Sequence, residues 1–210
     1  MEVLEKKGSE LYRDFESEFR NQIIQRCYIK KRDFYLKELG DDIYGMVWFS
    51  SFRKYPRGVE IAMYVGVTCN KAEKLLHNLL HIERPFRENP SLICGLCDLV
   101  EGHYPDYAQT VLNDEDVHKA VLFMTDCIDS IVEPFFSNIR NFDNYFAAVK
   151  YGQFALKRHW EYLVPVLYYL KGDTEGGKLF IKKRIEKSFG EAYSDNHGKI
   201  FLTEYNKLLH

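Results

Sequence analysis

His77 and His81 stand four residues apart, and Cys94 and Cys97 follow in C-x-x-C spacing. Two imidazoles and two thiolates are donor types that Zn²⁺ takes in a tetrahedral site. The set makes a metal centre only if all four side chains converge. If residues 93–99 form a strand, Cys94 and Cys97 point to opposite faces, and the residues read as two solvent-facing histidines and two ordinary thiols. As a redox pair, Cys94 and Cys97 lack the strand leading into a helix N-terminus that lowers a thiol pKa. No cofactor is expected.

Two other stretches carry chemistry-bearing types. Gly172-Asp173-Thr174-Glu175-Gly176-Gly177-Lys178 fits G-x-x-x-x-G-K, but Leu179 stands where a P-loop places the Ser or Thr that holds Mg²⁺. A turn between helices is expected there. His103, Tyr104, Asp106 and Tyr107 surround Pro105 in a polar, aromatic segment that a ligand-binding or catalytic loop would use, or that covers a sheet end. No G-x-S-x-G elbow is present.

The charge distribution is uneven beneath a net charge of −2. Residues 101–150 hold 3 Lys/Arg against 9 Asp/Glu, and residues 151–210 hold 10 against 7. Lys178, Lys182, Lys183, Arg184 and Lys187 spread around a helix circumference without interleaved aromatics, so a nucleic-acid surface is not expected. From Asp114 to Glu133 the spacing predicts a helix with Val117, Val121, Met124, Ile128 and Ile131 buried. At about 100° per residue, Glu115, Asp126, Asp129 and Glu133 then gather on the outward side around Leu122. Asp129 and Glu133 lie near the negative end of the helix dipole, so local helix stability does not account for them. The pattern predicts a face that docks a basic protein partner, with Leu122 as anchor, and whose carboxylates can be replaced by Lys without loss of stability.

The elements that must position these residues are legible in the hydropathy pattern. Leu11, Phe15, Phe19 and Ile23 predict an amphipathic helix over 9–26. The period changes to two in 33–39, 43–49 and 59–67, which predicts three consecutive antiparallel strands, with a hairpin turn at Tyr55-Pro56-Arg57-Gly58. Helix one is expected on the face lined by Val59, Ile61, Met63, Val65 and Val67, or on its opposite. Asn70 is placed as the N-cap of a helix over 71–83, ending before Pro85. Helical periodicity continues from Asp114, with breaks near Pro134, Asn141, Gly172 and Asp195 to Gly198. The expectation is an α+β fold: an N-terminal helix, an antiparallel sheet of three or more strands and a helical C-terminal half. One domain over 1–210 is expected, with helix and sheet in 1–110 and helices in 111–210.

The order of a helix, Tyr28-Ile29-Lys30-Lys31-Arg32-Asp33-Phe34-Tyr35, Ile43 to Ser51 and Ile61-Ala62-Met63-Tyr64-Val65-Gly66-Val67 resembles the uncharacterised-domain family numbered 4304. Ile93 to Leu99 and Glu133-Pro134-Phe135-Phe136 are similar to its later pattern, so the resemblance covers about residues 10–150. It implies an α+β fold and supplies no activity and no catalytic residues.

Five cysteines at irregular spacing and no apolar leader after Met1 lead to the expectation of reduced thiols and a cytoplasmic setting. The nine-residue apolar run Tyr162–Leu170 is too short to span a membrane. The resulting expectation is a non-enzymatic interaction protein of inhibitor or immunity type that binds a basic partner through Glu115, Leu122, Asp126, Asp129 and Glu133. The alternative is an enzyme, a small-ligand binder or a zinc protein using residues 77–107.

Overall fold

Leu11, Phe15, Phe19 and Ile23 are all buried along one side of α1 (Gly8–Ile24). The computed structural model describes residues 6–53, 58–83, 89–100, 108–152, 156–157, 159–186 and 191–210. The stripe packs on a sheet whose centre is β2 (Phe34–Gly40), β3 (Ile43–Arg53) and β4 (Val59–Cys69), consecutive and antiparallel. Phe15 and Phe19 meet the Phe49 ring edge-on at 5.0 and 4.7 Å between centroids, and Phe19 meets Tyr35 at 5.4 Å. Phe49 pairs with Met63 and Val47 with Val65, so α1 covers the face lined by Val59, Ile61, Met63, Val65 and Val67.

The sheet extends beyond the three expected strands. β1 (Ile29–Lys31) adds outside β2, while β5 (Leu92–Gly95) and β6 (Ala108–Val111) both pair with β4, and β7 (Leu156–Lys157) pairs with β5. Every pairing is antiparallel. Between β2 and β3, Asp41 and Asp42 have φ of +52° and +62°, the conformation that a two-residue type I′ hairpin requires. Tyr55, Pro56 and Arg57 of the other expected turn lie outside the described residues.

The β3 ladder has a polarity that can be read from one bond. The Asn70 N–H donates to the Asp42 carbonyl at 2.9 Å, and because backbone groups alternate sides along a strand, the even-numbered residues of β3 face β4. Phe49, Ser51 and Arg53 therefore turn their N–H and C=O groups toward the opposite edge. There β2 pairs with β3 no further than Val47, opposite Tyr35. Among the described residues, the edge from Phe49 to Arg53 has no backbone partner.

That same Asn70 bond corrects the expected start of the next helix. The strand runs through Cys69, and Cys69, in extended conformation, takes the cap position of α2 (Asn70–Leu79), with Asn70 as its first residue. The helix is also shorter than expected, because His81 adopts φ +50° just past its end and terminates it. Leu96–Leu99 form a 3₁₀ turn after β5, so 93–99 is only partly strand.

The helical part comprises α3 (Asp114–Cys127), a π-turn over Ile128–Val132, α4 (Glu133–Ser137), α5 (Phe142–Tyr151), α6 (Trp160–Leu170), α7 (Thr174–Arg184), α8 (Glu191–Ser194) and α9 (Asn196–Leu208). α3 packs beside α1, and the Phe136 ring of α4 lies over Gly45 on the α1 side of the sheet. Asn113, Asn141, Asp173 and Asp195 each accept a backbone N–H at the start of a helix, which is why breaks in the pattern fall at these residues. Among the described residues no helix is long and apolar enough to cross a membrane.

α6 shows how the fold tolerates a proline in a buried helix. Pro165 has no N–H, so the Glu161 carbonyl four residues earlier loses its helical donor. The Tyr193 hydroxyl donates to that carbonyl at 2.5 Å, and the Tyr205 hydroxyl donates to the Pro165 carbonyl at 3.0 Å. Tyr193 is 4% exposed, and burial with the nearby Glu161 carboxylate keeps its phenol protonated far above the ordinary tyrosine range. Replacing Tyr193 by Phe leaves a partly buried carbonyl without this donor and is expected to lower stability by about 1 kcal/mol in urea unfolding.

Candidate functional site

The acidic helix predicted from sequence forms, but not as one straight face. Pro134 cannot donate to Ser130, and its ring crowds that carbonyl, so regular α-helical bonding cannot cross this point. Instead the Glu133 N–H donates to the Ile128 carbonyl, five residues back. A π-turn inserts one residue and rotates the next turn of helix by roughly 100°. Val132 is buried in place of the expected Ile131, and Glu133 leaves the outward side.

Glu133 is held from the other side of the molecule. Its Oε1 accepts from the Tyr28 hydroxyl and from Lys37 Nζ, both at 2.8 Å, and Oε2 accepts from Lys37 at 2.7 Å. Lys37 and Glu133 are each only about a quarter exposed, at 25% and 24%. Asp129 forms a two-pronged pair with Arg26, Nε to Oδ1 and Nη2 to Oδ2, each 2.6 Å. The Arg26 guanidinium holds the Asp129 carboxyl below its ordinary range. Burial first, then the Glu133 carboxylate, raises the Tyr28 phenol far above its own. These two acids join α3 and α4 to the end of α1 and to β2.

On the outward side of α3, Leu122 is 53% exposed and Asp126 is exposed, while Glu115 pairs with Lys119 at 2.7 Å. At the near end, Asp114 pairs with Lys6, and His118 lies 2.6 Å from Glu18 of α1. The expected continuous ring of acids is therefore divided. Glu115 and Asp126 flank Leu122, whereas Asp129 and Glu133 are tied to cations of the same chain.

The residues of the alternative metal set are not brought together. His77 is on α2, and His81, past its end, lies 3.5 Å from Glu204. Cys94 is buried on β5 with its thiol 3.7 Å from the Val65 carbonyl, and burial pushes it up to about 12. Cys97 is exposed on the 3₁₀ turn. Among the described residues no group of three or more His, Cys, Asp or Glu is placed to hold a metal ion. His103, Tyr104, Asp106 and Tyr107 lie outside the described residues.

The P-loop-like stretch is the turn between α6 and α7. Gly172 has φ +81°, and a Cβ at Gly177 would come within 2.3 Å of the Tyr205 hydroxyl, so these glycines serve a turn and close helix packing. Of the basic residues on α7, Lys178 pairs with Glu175, and Arg184 pairs with Glu161 and lies 4.7 Å over the Trp160 ring. A buried polar pin joins α2 to the start of β5: the Ser91 hydroxyl donates to Glu73 at 2.5 Å and lies 3.3 Å from the Thr68 hydroxyl. Thr68 and Ser91 have no exposed surface, which makes this a structural contact.

The outer face of the sheet carries what the hydropathy pattern did not single out. Across the strands, Ile29, Leu36, Met46, Gly66 and Ile93 share one row. In the next row Trp48 meets Phe34 edge-on at 5.5 Å and stacks on Tyr64 at 5.7 Å. Leu36 and Met46 are buried apart from the main core, the three rings are half-buried, and at the margins Phe52 and Ile29 are 51% and 72% exposed. Alternation in β3 and β4 is the signal for this face, because it places a second apolar set opposite the one under α1.

No protein-family model, curated protein or solved structure matches this chain. The resemblance to the uncharacterised-domain family numbered 4304 rests on its own residues alone.

The polar seam corrects the expectation that Asp126, Asp129 and Glu133 can be exchanged for Lys without loss of stability. Glu133→Gln removes the charged acceptor of Lys37 and Tyr28 and is expected to cost about 1.5–3 kcal/mol in urea unfolding, while Asp126→Asn changes stability by less than about 0.5 kcal/mol. Asp129, with its carboxyl depressed in the folded state, stabilises above the unfolded carboxyl pKa of about 3.9, and that contribution is lost as pH falls through the lower folded value. Asp129→Asn should therefore make the loss of stability below about pH 4 shallower.

Proposed function

We propose that this chain is a non-enzymatic interaction protein that docks a protein partner on the outer face of its sheet. The observation that carries the reading is the row Phe34, Trp48 and Tyr64, half-buried rings in contact with one another across three strands of the outer face. Single exposed apolar residues are ordinary on a protein surface, whereas a contiguous set is a mark of an interaction site. Trp and Tyr are also the side chains that contribute most at protein interfaces, since they remove large areas from water at little conformational cost. The other side of the sheet is already filled by α1 and Phe136.

A second reading is favoured by Leu122. Its 53% exposure between Glu115 and Asp126 supports a basic partner on α3, in the manner of an inhibitor or immunity protein. The two surfaces are separated by variants measured against one partner, isolated with the native chain and then titrated by calorimetry. Trp48→Ala is expected to weaken binding about tenfold or more, with Leu122→Ala and Asp126→Lys near native. Native affinity in Trp48→Ala with loss in the α3 variants would replace the first reading by the second.

A further inference from the structure

We propose that the open edge of β3 from Phe49 to Arg53 accepts an extended segment of a protein partner, which joins the sheet as an added strand in line with β2. The inference goes beyond the docking face above, because it rests on backbone groups and holds whether or not the aromatic row binds anything. Phe49, Ser51 and Arg53 direct N–H and C=O groups away from β4, and β2 stops pairing at Val47. Five residues of strand at roughly 3.4 Å each leave about 17 Å of ladder without a described neighbour. Ser51 and Phe52 are exposed, so solvent reaches this edge. Alternating N–H and C=O groups at strand spacing are complementary to another extended backbone, and adding a strand satisfies them directly.

The other margins of the sheet are protected in ways this one is not. β1 is three residues long and carries Lys30 and Lys31, β7 is two residues long, and β6 is four. Short length and lysines are how proteins prevent strands from adding at an edge. Ahead of the charged Arg53, Phe49-Ser50-Ser51-Phe52 has no charge and no proline and belongs to an eleven-residue strand. In the added strand, residues opposite Phe49 and Ser51 would exchange backbone hydrogen bonds. Those opposite Ser50 and Phe52 would place side chains on the outer face, where an apolar group meets Phe52. At the β1–β2 end of the gap Arg32 and Asp33 are both exposed, so that end offers a charge of each sign.

The test uses the full chain and an acetylated, amidated hexapeptide of alternating valine and threonine, titrated to millimolar concentration and followed by amide NMR. The expected result is that the Phe49 and Ser51 amide signals move and exchange at Ser51 slows by about tenfold or more. The same peptide N-methylated at alternate residues should do neither. Ser51→Pro removes an edge N–H that β4 does not use and should abolish the response, while Trp48→Ala should retain it. No shift at Phe49 and Ser51, or an equal response to the N-methylated peptide, would overturn the proposal. So would a Ser51 amide already as protected in the free chain as that of Ser50, because the edge would then be covered from within. Loss of partner affinity in Trp48→Ala with this peptide response intact separates failure of one surface from failure of the other.

Discussion

Phe19 packs between Tyr35 and Phe49, and the whole arrangement of the sheet depends on that contact. Phe15 and Phe49 extend it, and with Leu11 and Ile23 they remove one side of α1 and one face of β2, β3 and β4 from water together. A fully buried side chain of this size contributes about 1.5–3 kcal/mol, so the stripe is a large part of what selects this packing. Strand side chains alternate, so choosing which face lies under α1 also chooses which residues face away. Phe34, Trp48, Tyr64 and Phe52 are on the outer face for that reason. A one-residue slip of register would exchange the two sets and bury the wrong one.

The second constraint is Pro134, which follows α3 and its π-turn. A helix that continued regularly past Val132 would carry Glu133 outward beside Leu122. The π-turn before Pro134 rotates it toward Lys37 and Tyr28, and Arg26 reaches Asp129 from the end of α1. Carboxylates that the helix dipole disfavours near a C-terminus are thus compensated by cations from elsewhere in the chain. α3 is fixed to α1 at its start as well, through Lys6 with Asp114 and Glu18 with His118. Exposed pairs of this kind add little stability, and the partly buried Lys37–Glu133 contact is the one whose loss leaves a charge without its partner.

Within this frame a few polar contacts hold the elements together. Glu73 with Ser91, Tyr193 with Glu161 and Tyr205 with Pro165 tie elements together away from solvent. On the outer face Phe34, Trp48 and Tyr64 pack on one another half-buried, while Phe52 and Leu122 are exposed. Among the described residues, the chemistry-bearing side chains found by spacing, His77, His81, Cys94 and Cys97, are not brought together.

Periodicity alone determined α1, the three central strands, the antiparallel order and the helical second half, because each is a local pattern that one buried face imposes on nearby residues. The buried stripe of α3 was legible as far as Ile128, and Pro134 marked where it had to change. What tertiary structure decided lies in contacts across long sequence separations. Arg26 meets Asp129 and Tyr28 meets Glu133 across about a hundred residues, and no local pattern encodes which cation a carboxylate will find. Asn70 suits an N-cap by type, but the ladder bond to Asp42 makes Cys69 the cap instead. The open edge of β3 was likewise invisible in sequence, because it exists only through the point at which β2 stops pairing. Local propensity chooses the element, and the partner that reaches it from far along the chain decides what each side chain is left to do.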